Sequence, residues 1–391
     1  MLTLKKKHFS LAALTLASLL ALTGCAGDPA PKVDQLTVWV DELEAKALEG
    51  AAKEFKTDTG ITVNLVVNQD PRGNFLSSST TGEGPDVVAG AHDWIGDLVA
   101  NKVIEPIDIG GRAGEFQSNA VDAFKYDGKT YGMPSNVQSL ALICNAKKVP
   151  NQPSWDAVKK VGLALSLNDG GGDPYHLYTI QTSFGSHVFK KDGNGNFKPA
   201  LDFENGGLDF ANWLAGEGSK ILDATSTWNS SVTAMQSGTK GCWITGPWVS
   251  GVLDLNTDEY NIYKVPSVGG KDSISFLSAR GFYVSAHSKD IFYARKFVVD
   301  YIGKAETQKE IFNVSGRIPA NKSALDAAKD DRVVQGFSKA SQNAEPLPAI
   351  PAMASVWASW GATEMAIITG KAKPQEAWTK MIADIEAAIA N

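Results

Sequence analysis

Apolar and polar positions along this chain switch between two periods. Leu36 to Val40 (LTVWV) is a short β-rich run, and Leu43, Ala47, Leu48, Ala51 and Phe55 then recur at helical spacing until Thr59-Gly60 stops them. Ile61 to Val67 reads as strand again. Gly84-Pro85-Asp86 turns into Val87-Val88, and Asp93 to Lys102 reads as a helix with Trp94, Ile95, Leu98 and Val99 on one side. Strand, helix, strand and helix joined by short links predict an α/β fold with a mostly parallel sheet covered on both faces.

Further along, Tyr126-Asp127-Gly128-Lys129-Thr130-Tyr131 predicts a tight hairpin, because an Asp-Gly pair between alternating aromatics suits positive φ at both central residues. Its Gly-Lys-Thr is not a phosphate loop, since Ala123 stands where that motif needs glycine. Asp192 to Asn196 mimics the start of a calcium loop. Phe197 and Phe203 occupy its required glycine and acidic positions, so a second hairpin turn is expected instead. Gly241 to Trp248 reads as a buried strand ending in Gly246-Pro247, with Pro247 opening a helix and Trp248 in its first turn. Trp357 and Trp360 share a face of a helical stretch from Ala352 to Thr369. Cys144 and Cys242 each lie in an apolar strand-like run; spacing leaves a bridge and two buried thiols equally open.

The first residues change the picture of where the chain works. Lys5, Lys6 and Lys7 precede an apolar stretch from Phe9 to Leu22, too short to span a bilayer comfortably, which runs into Leu22-Thr23-Gly24-Cys25. That ending resembles the bacterial lipobox, so residues 1–24 are expected to be a lipoprotein signal peptide and Cys25 a lipid-bearing first residue. Residues 25–33, with Pro29 and Pro31, are expected to be a flexible tether. The chain holds 37 basic and 43 acidic residues, and loss of the three leader lysines makes the remainder more acidic still. No basic run remains to hold nucleic acid or anionic headgroups. The 43% apolar and 20% charged composition is that of ordinary packed domains, two of them at this length.

Ligands of open α/β sheets sit beyond the carboxyl ends of the strands. Asp41-Glu42-Leu43-Glu44, Ala91-His92-Asp93-Trp94 and Asp173-Pro174-Tyr175-His176 all fall at such loop-to-helix junctions. Helix capping is the competing role for Asp41 and Asp93. The chain has five histidines with no metal-pair spacing and no Gly-x-Ser-x-Gly elbow, so neither a metal nor a cofactor is expected. An enzyme reading would rest on Asp93 and Asp173 as a glycosidase pair, and nothing in the sequence fixes their separation.

In order along the chain come Trp39-Val40 with its acidic loop, Phe55-Lys56-Thr57-Asp58-Thr59-Gly60-Ile61-Thr62-Val63, Gly84-Pro85-Asp86-Val87, Ala91-His92-Asp93, Tyr126 to Tyr131, Thr245-Gly246-Pro247-Trp248 and Gly316-Arg317-Ile318-Pro319-Ala320. With these the chain resembles the extracellular solute-binding proteins of sugar ABC transporters, most closely the maltose and maltodextrin-binding branch. The resemblance spans nearly all of the chain after the tether.

The resemblance implies a two-lobed periplasmic-binding-protein fold, each lobe a mostly parallel sheet flanked by helices, with three crossovers between lobes. Lobe one would be residues 34–137 and 280–320, and lobe two residues 138–279 and 321–391. It implies a monomer anchored outside the cell membrane that closes on an oligosaccharide and hands it, unaltered, to permease subunits; chemosensing is the non-transport alternative. Positions matching the branch's sugar contacts are Glu42, Glu44, Arg72, Asp93, Gln138, Asp173, Tyr175, Trp248 and Trp357. Flat rings suit the C–H faces of sugars, and carboxylates and amides suit their hydroxyl rims. The chain departs from the branch at Gly90, where a tryptophan is frequent, at Trp94 in place of arginine, at Gln138 in place of glutamate and at Trp360-Gly361. Trp94 and Trp360 therefore stand as replacement platforms, or the cleft suits another oligosaccharide.

Overall fold

The computed structural model describes residues 34–390 except 80, 169–170 and 194–195. The signal peptide, Cys25 and the tether lie outside the described residues. Among those described, no helix is long and apolar enough to cross a membrane.

The first strand, β1 (Gln35–Val40), buries Leu36, Val38 and Val40 on one face. The expected helix follows as Glu42–Thr59. Asp41 and Glu44 form a capping box at its start, and Gly60 ends it in the left-handed conformation at φ 79°. β2 (Thr62–Val67) and β3 (Val87–Ala91) lie parallel to β1 on either side.

Beyond this parallel trio the sheet is mixed. β3 pairs antiparallel with β14 (Phe276–Ser285), which pairs antiparallel with β7 (Gly132–Ser139) and with the short β4 (Ile104–Glu105). β15 (Ile318–Pro319) closes the far edge against β7, and β16 (Glu345–Pro346) runs parallel beside the first residues of β14. A second sheet has the order β13 (Tyr260–Tyr263), β8 (Ala141–Asn145), β12 (Cys242–Thr245), β9 (Leu163–Ala164), and only β12 and β9 are parallel. The α/β architecture is as expected, with mixed sheets in place of mostly parallel ones. The physical reason is that β7 leaves the first sheet and β14 returns to it, and two neighbouring strands travelling opposite ways must pair antiparallel.

Each sheet has its own core. Leu36, Val38, Phe55, Phe282 and Val284 pack on one face of the first sheet, and Phe75, Val88, Ile95, Phe124 and Tyr283 on the other. The second sheet is sandwiched between a core with Leu142, Tyr178, Phe203, Phe210, Ile244 and Trp360 and one with Ile143, Trp243, Val333 and Phe337. The chain changes core between Val137 and Leu140, between Phe276 and Ala279, and between Ala320 and Val333.

Both hairpins are present. β5 (Lys125–Tyr126) and β6 (Lys129–Thr130) turn through Asp127 at φ 47° and Gly128 at φ 74°. β10 (Phe189–Lys191) and β11 (Phe197–Leu201) form the second. Of the alternatives left open for the cysteines, the structure has the bridge: Cys144 and Cys242 face each other across β8 and β12, with Cα atoms 4.1 Å apart, and are joined by a disulfide.

A polar cluster pins β16 to the second core. Glu345 accepts from Tyr178 Oη, sits 3.1 Å from His187 Nδ1 and 2.9 Å from Lys191 Nζ. Burial alone would raise its carboxyl; the bonds from His187, Tyr178 and Lys191 outweigh this and bring it down to about 2. A carboxyl lowered by folding stabilises above its unfolded value and ceases to do so as pH falls toward its folded one. Glu345→Gln is therefore expected to flatten the loss of melting temperature between about pH 4.5 and pH 2, and to remove up to about 3 kcal/mol of stability at neutral pH, measured by calorimetry across that range.

Candidate functional site

The carboxyl ends of β3 and β7 open into a cleft of about 300 Å³ that also receives side chains from the second core. β3 delivers Ala91 to a short 3-10 turn, His92–Trp94, which leads into the helix Ile95–Ala100 in place of one continuous helix from Asp93. That turn has no side-chain cap, and Asp93 faces the cleft. Gln138 reaches it from the end of β7, Ser278 from β14 and Arg72 from the helix Pro71–Ser79. From the second core come Tyr175, in the first turn of the helix Pro174–Gln181, and Trp357, which opens the helix Trp357–Ile368.

Two hydrogen bonds already join these walls. Trp357 Nε1 donates to Asp93 Oδ2 at 3.3 Å, and Tyr175 Oη and Ser278 Oγ lie 3.1 Å apart. Burial raises the Asp93 carboxyl above the usual range, an effect that the neighbouring His92 and then Arg72 only partly offset. Arg72 is itself held by Asp97 at 3.2 Å. Gln138 Oε1 is buried without a hydrogen-bond partner, an acceptor at the cleft wall that a ligand hydroxyl would satisfy.

Six of the eleven residues expected at a ligand site thus line one cleft: Arg72, Asp93, Trp94, Gln138, Tyr175 and Trp357. Asp173 caps the Tyr175 helix through the His176 N–H and lines a second chamber of about 300 Å³ with Ser166, Trp228, Trp243 and Thr245. Trp248, in the 3-10 turn Pro247–Gly251, stands edge-on to His176 with ring centres 6.0 Å apart. Glu42 is exposed in the first turn of its helix. Glu44 is buried and salt-bridged to Arg280 at 2.6 Å, beside an Asp41–Arg317 pair also at 2.6 Å. Trp360 is fully buried behind Trp357, their rings stacked 5.8 Å apart, and its N–H goes to Gln181.

Sequence reasoning missed Ser278 and Leu347 in the cleft and the arginines that take up Asp41 and Glu44. These partners lie more than 200 residues apart, and no local pattern announces them. Gly90 has a clear cause: the Trp94 ring lies where a Cβ at position 90 would be, with Tyr283 close by. Among the described residues, no group of three or more His, Cys, Asp or Glu is placed to hold a metal ion.

A cleft walled by rings and a few directed polar groups, set between two cores joined by three chain crossings, has the form of a small-ligand site. Residues 50–336 match the family of bacterial extracellular solute-binding proteins, and the chain belongs to that family. A maltooligosaccharide ABC transporter solute-binding lipoprotein of Streptococcus pneumoniae is 26% identical over 378 residues, spanning 89% of this chain and 88% of that protein. A galactooligosaccharide-binding protein of Bacillus subtilis is 23% identical over 380 residues, spanning 88% and 87%. Among solved structures, the Thermus thermophilus maltotriose binding protein bound with maltotriose matches with a TM-score of 0.82 at 27% identity, over 90% of this chain and all of that one. The fold is accordingly the two-lobed periplasmic-binding-protein fold.

Gly90→Ala is expected to push the Trp94 ring out of its seat. That should cost about 1–3 kcal/mol in thermal unfolding and shift tryptophan emission. An unchanged melting curve and spectrum would show that the ring does not depend on this glycine.

Proposed function

We propose that this chain is the extracytoplasmic sugar-binding component of an ABC importer, closing on an oligosaccharide, maltodextrin foremost, and delivering it intact to permease subunits. The bond from Trp357 to Asp93 carries the reading, because it joins an indole of one lobe to a carboxylate of the other within the cleft. A sugar ring laid on that indole offers hydroxyls to the same carboxylate, so its contacts come from both lobes. Ligand favours the closed form only by the contacts that form has in excess of the open one, and a site divided between lobes supplies that excess.

The lobes are residues 34–137 with 280–320 and 138–279 with 321–391, a division supported by the points at which the chain changes core. Arg72, Asp93, Trp94, Gln138, Tyr175 and Trp357 contact sugar, with Asp173 and Trp248 serving further rings. Trp360 backs Trp357, Glu44 fixes the start of its helix, and Glu42 lies at the rim. Lipid on Cys25, suggested by Leu22-Thr23-Gly24-Cys25, tethers a monomer to the outer face of the membrane. The names of the pneumococcal and Thermus relatives favour a maltodextrin, and the Bacillus relative puts galactooligosaccharides on the same test panel.

Titration of the purified protein with maltose, maltotriose, longer maltodextrins and galactooligosaccharides, followed by tryptophan emission, identifies the ligand. A maltodextrin should shift emission and be recovered at its original length. Trp357→Ala and Trp248→Ala should each weaken binding by about 1–3 kcal/mol, roughly a five- to 150-fold rise in Kd. Shortened sugar would refute a carrier role, and no response to any member of the panel would refute the sugar reading.

A further inference from the structure

The backbone pairing of β3 with β14 runs from Val87–Val284 to Ala91–Arg280. The next pair in register would be His92 with Ala279, and there the ladder ends. The His92 side chain takes its place. Nδ1 lies 3.1 Å from the Ala279 amide nitrogen and 3.2 Å from the Ala279 carbonyl oxygen, and Nε2 lies 3.1 Å from the Leu347 carbonyl oxygen. A carbonyl only accepts, so the Leu347 contact puts a hydrogen on Nε2; Nδ1 faces both groups of Ala279, accepting from its N–H when bare and donating to its carbonyl when protonated. Either way the ring ties Ala279 to Leu347 through both of its nitrogens, and it is only 3% exposed.

Both partners sit where the lobes join. At Phe276 the strand β14 packs in the second core, and from Ala279 onward it packs in the first. Leu347 directly follows β16, which lies along the first residues of β14, and packs in the second core. On its other side His92 adjoins Asp93 and Trp94 of the cleft. The ring also borders a largely apolar cavity of about 380 Å³ lined by Ala123, Val137, Phe197 and Leu277. Main-chain ladder bonds hold two strands in fixed register, whereas an imidazole turning on two side-chain torsions can follow its partners, and the cavity gives it room.

We propose that His92 is the pivot of the hinge: its ring replaces the ladder at the crossing, keeps the Ala279 amide and Leu347 carbonyl paired as the lobes rotate, and transmits that rotation to Asp93 and Trp94. This rests on the reading of the protein as a clamp that closes on sugar. His92 is a positioning residue and touches no ligand.

The test uses the full chain, with maltotriose as the probe. His92→Phe preserves a ring and removes both nitrogens, while His92→Gln retains one acceptor and one donor. In ligand-free protein, amide hydrogen exchange in the peptide covering 276–282 should speed up at least tenfold in H92F, return to within about threefold of native in H92Q, and stay native in peptides covering β1 and β2. Maltotriose should slow exchange in that peptide in the native chain and in H92Q but not in H92F. A merely structural role would lower the melting temperature of H92F and leave that ligand response in place, which would overturn the proposal. So would native exchange at 276–282 in H92F, or equal acceleration everywhere. Should H92F fail to fold, nitrogen NMR of the native imidazole decides: an Nε2–H tautomer is expected, and an Nδ1–H tautomer refutes the pivot. If maltotriose leaves even native protein unchanged, maltotriose fails as the ligand, while the tautomer and the ligand-free exchange still judge the pivot.

Discussion

The structure depends on the passage of β7 and β14 in opposite directions between two cores. Because each strand belongs to one core at one end and to the other core near its opposite end, neither half of the molecule can be packed without fixing where the chain crosses. Their antiparallel pairing holds the crossings side by side, from Leu277–Ser139 to Tyr283–Gly132. The cleft is a product of that arrangement. Gln138 and Ser278 stand at the crossings themselves, and the side chains facing them arrive from helices seated on both sheets.

Electrostatics divides the carboxylates at this edge into two kinds. Asp41 and Glu44 are neutralised by Arg280 and Arg317. Burial works against the Asp41 charge, but the two guanidiniums prevail and lower its carboxyl to about 2. Buried charges persist when paired and hydrogen-bonded in this way, and removing one partner is expensive. Asp93 has no comparable cation. Its nearest direct partner is an indole N–H, a weaker bond that a ring of hydroxyls can replace. Charge that builds the lobe is thus kept apart from the carboxylate at the cleft.

Much of this was legible in the residues. The period switch at Leu36 to Phe55, the Asp127-Gly128 turn and Pro247 at a helix start each depend on neighbours close in sequence, and each stands where it was expected. The sheet directions were not legible, because they depend on which distant segment β14 meets after leaving the second core. For the same reason Glu44 read as a ligand candidate: Arg280, its partner, lies 236 residues away. Trp357 and Trp360 were paired on one helix face by spacing alone. Only packing against Phe203 and Tyr178 separates the ring at the cleft from the one behind it. Family resemblance placed the site residues in one fold, and tertiary contacts sort them into wall, support and rim.

The most direct measurement is a crystal structure of the protein grown with maltotriose. A glucose ring stacked on Trp357, with a hydroxyl bonded to Asp93 where the indole N–H now points and with rings of both lobes drawn around an intact sugar, is the result expected. A cleft still closed by the Trp357–Asp93 contact, with no sugar between the lobes, would contradict the account.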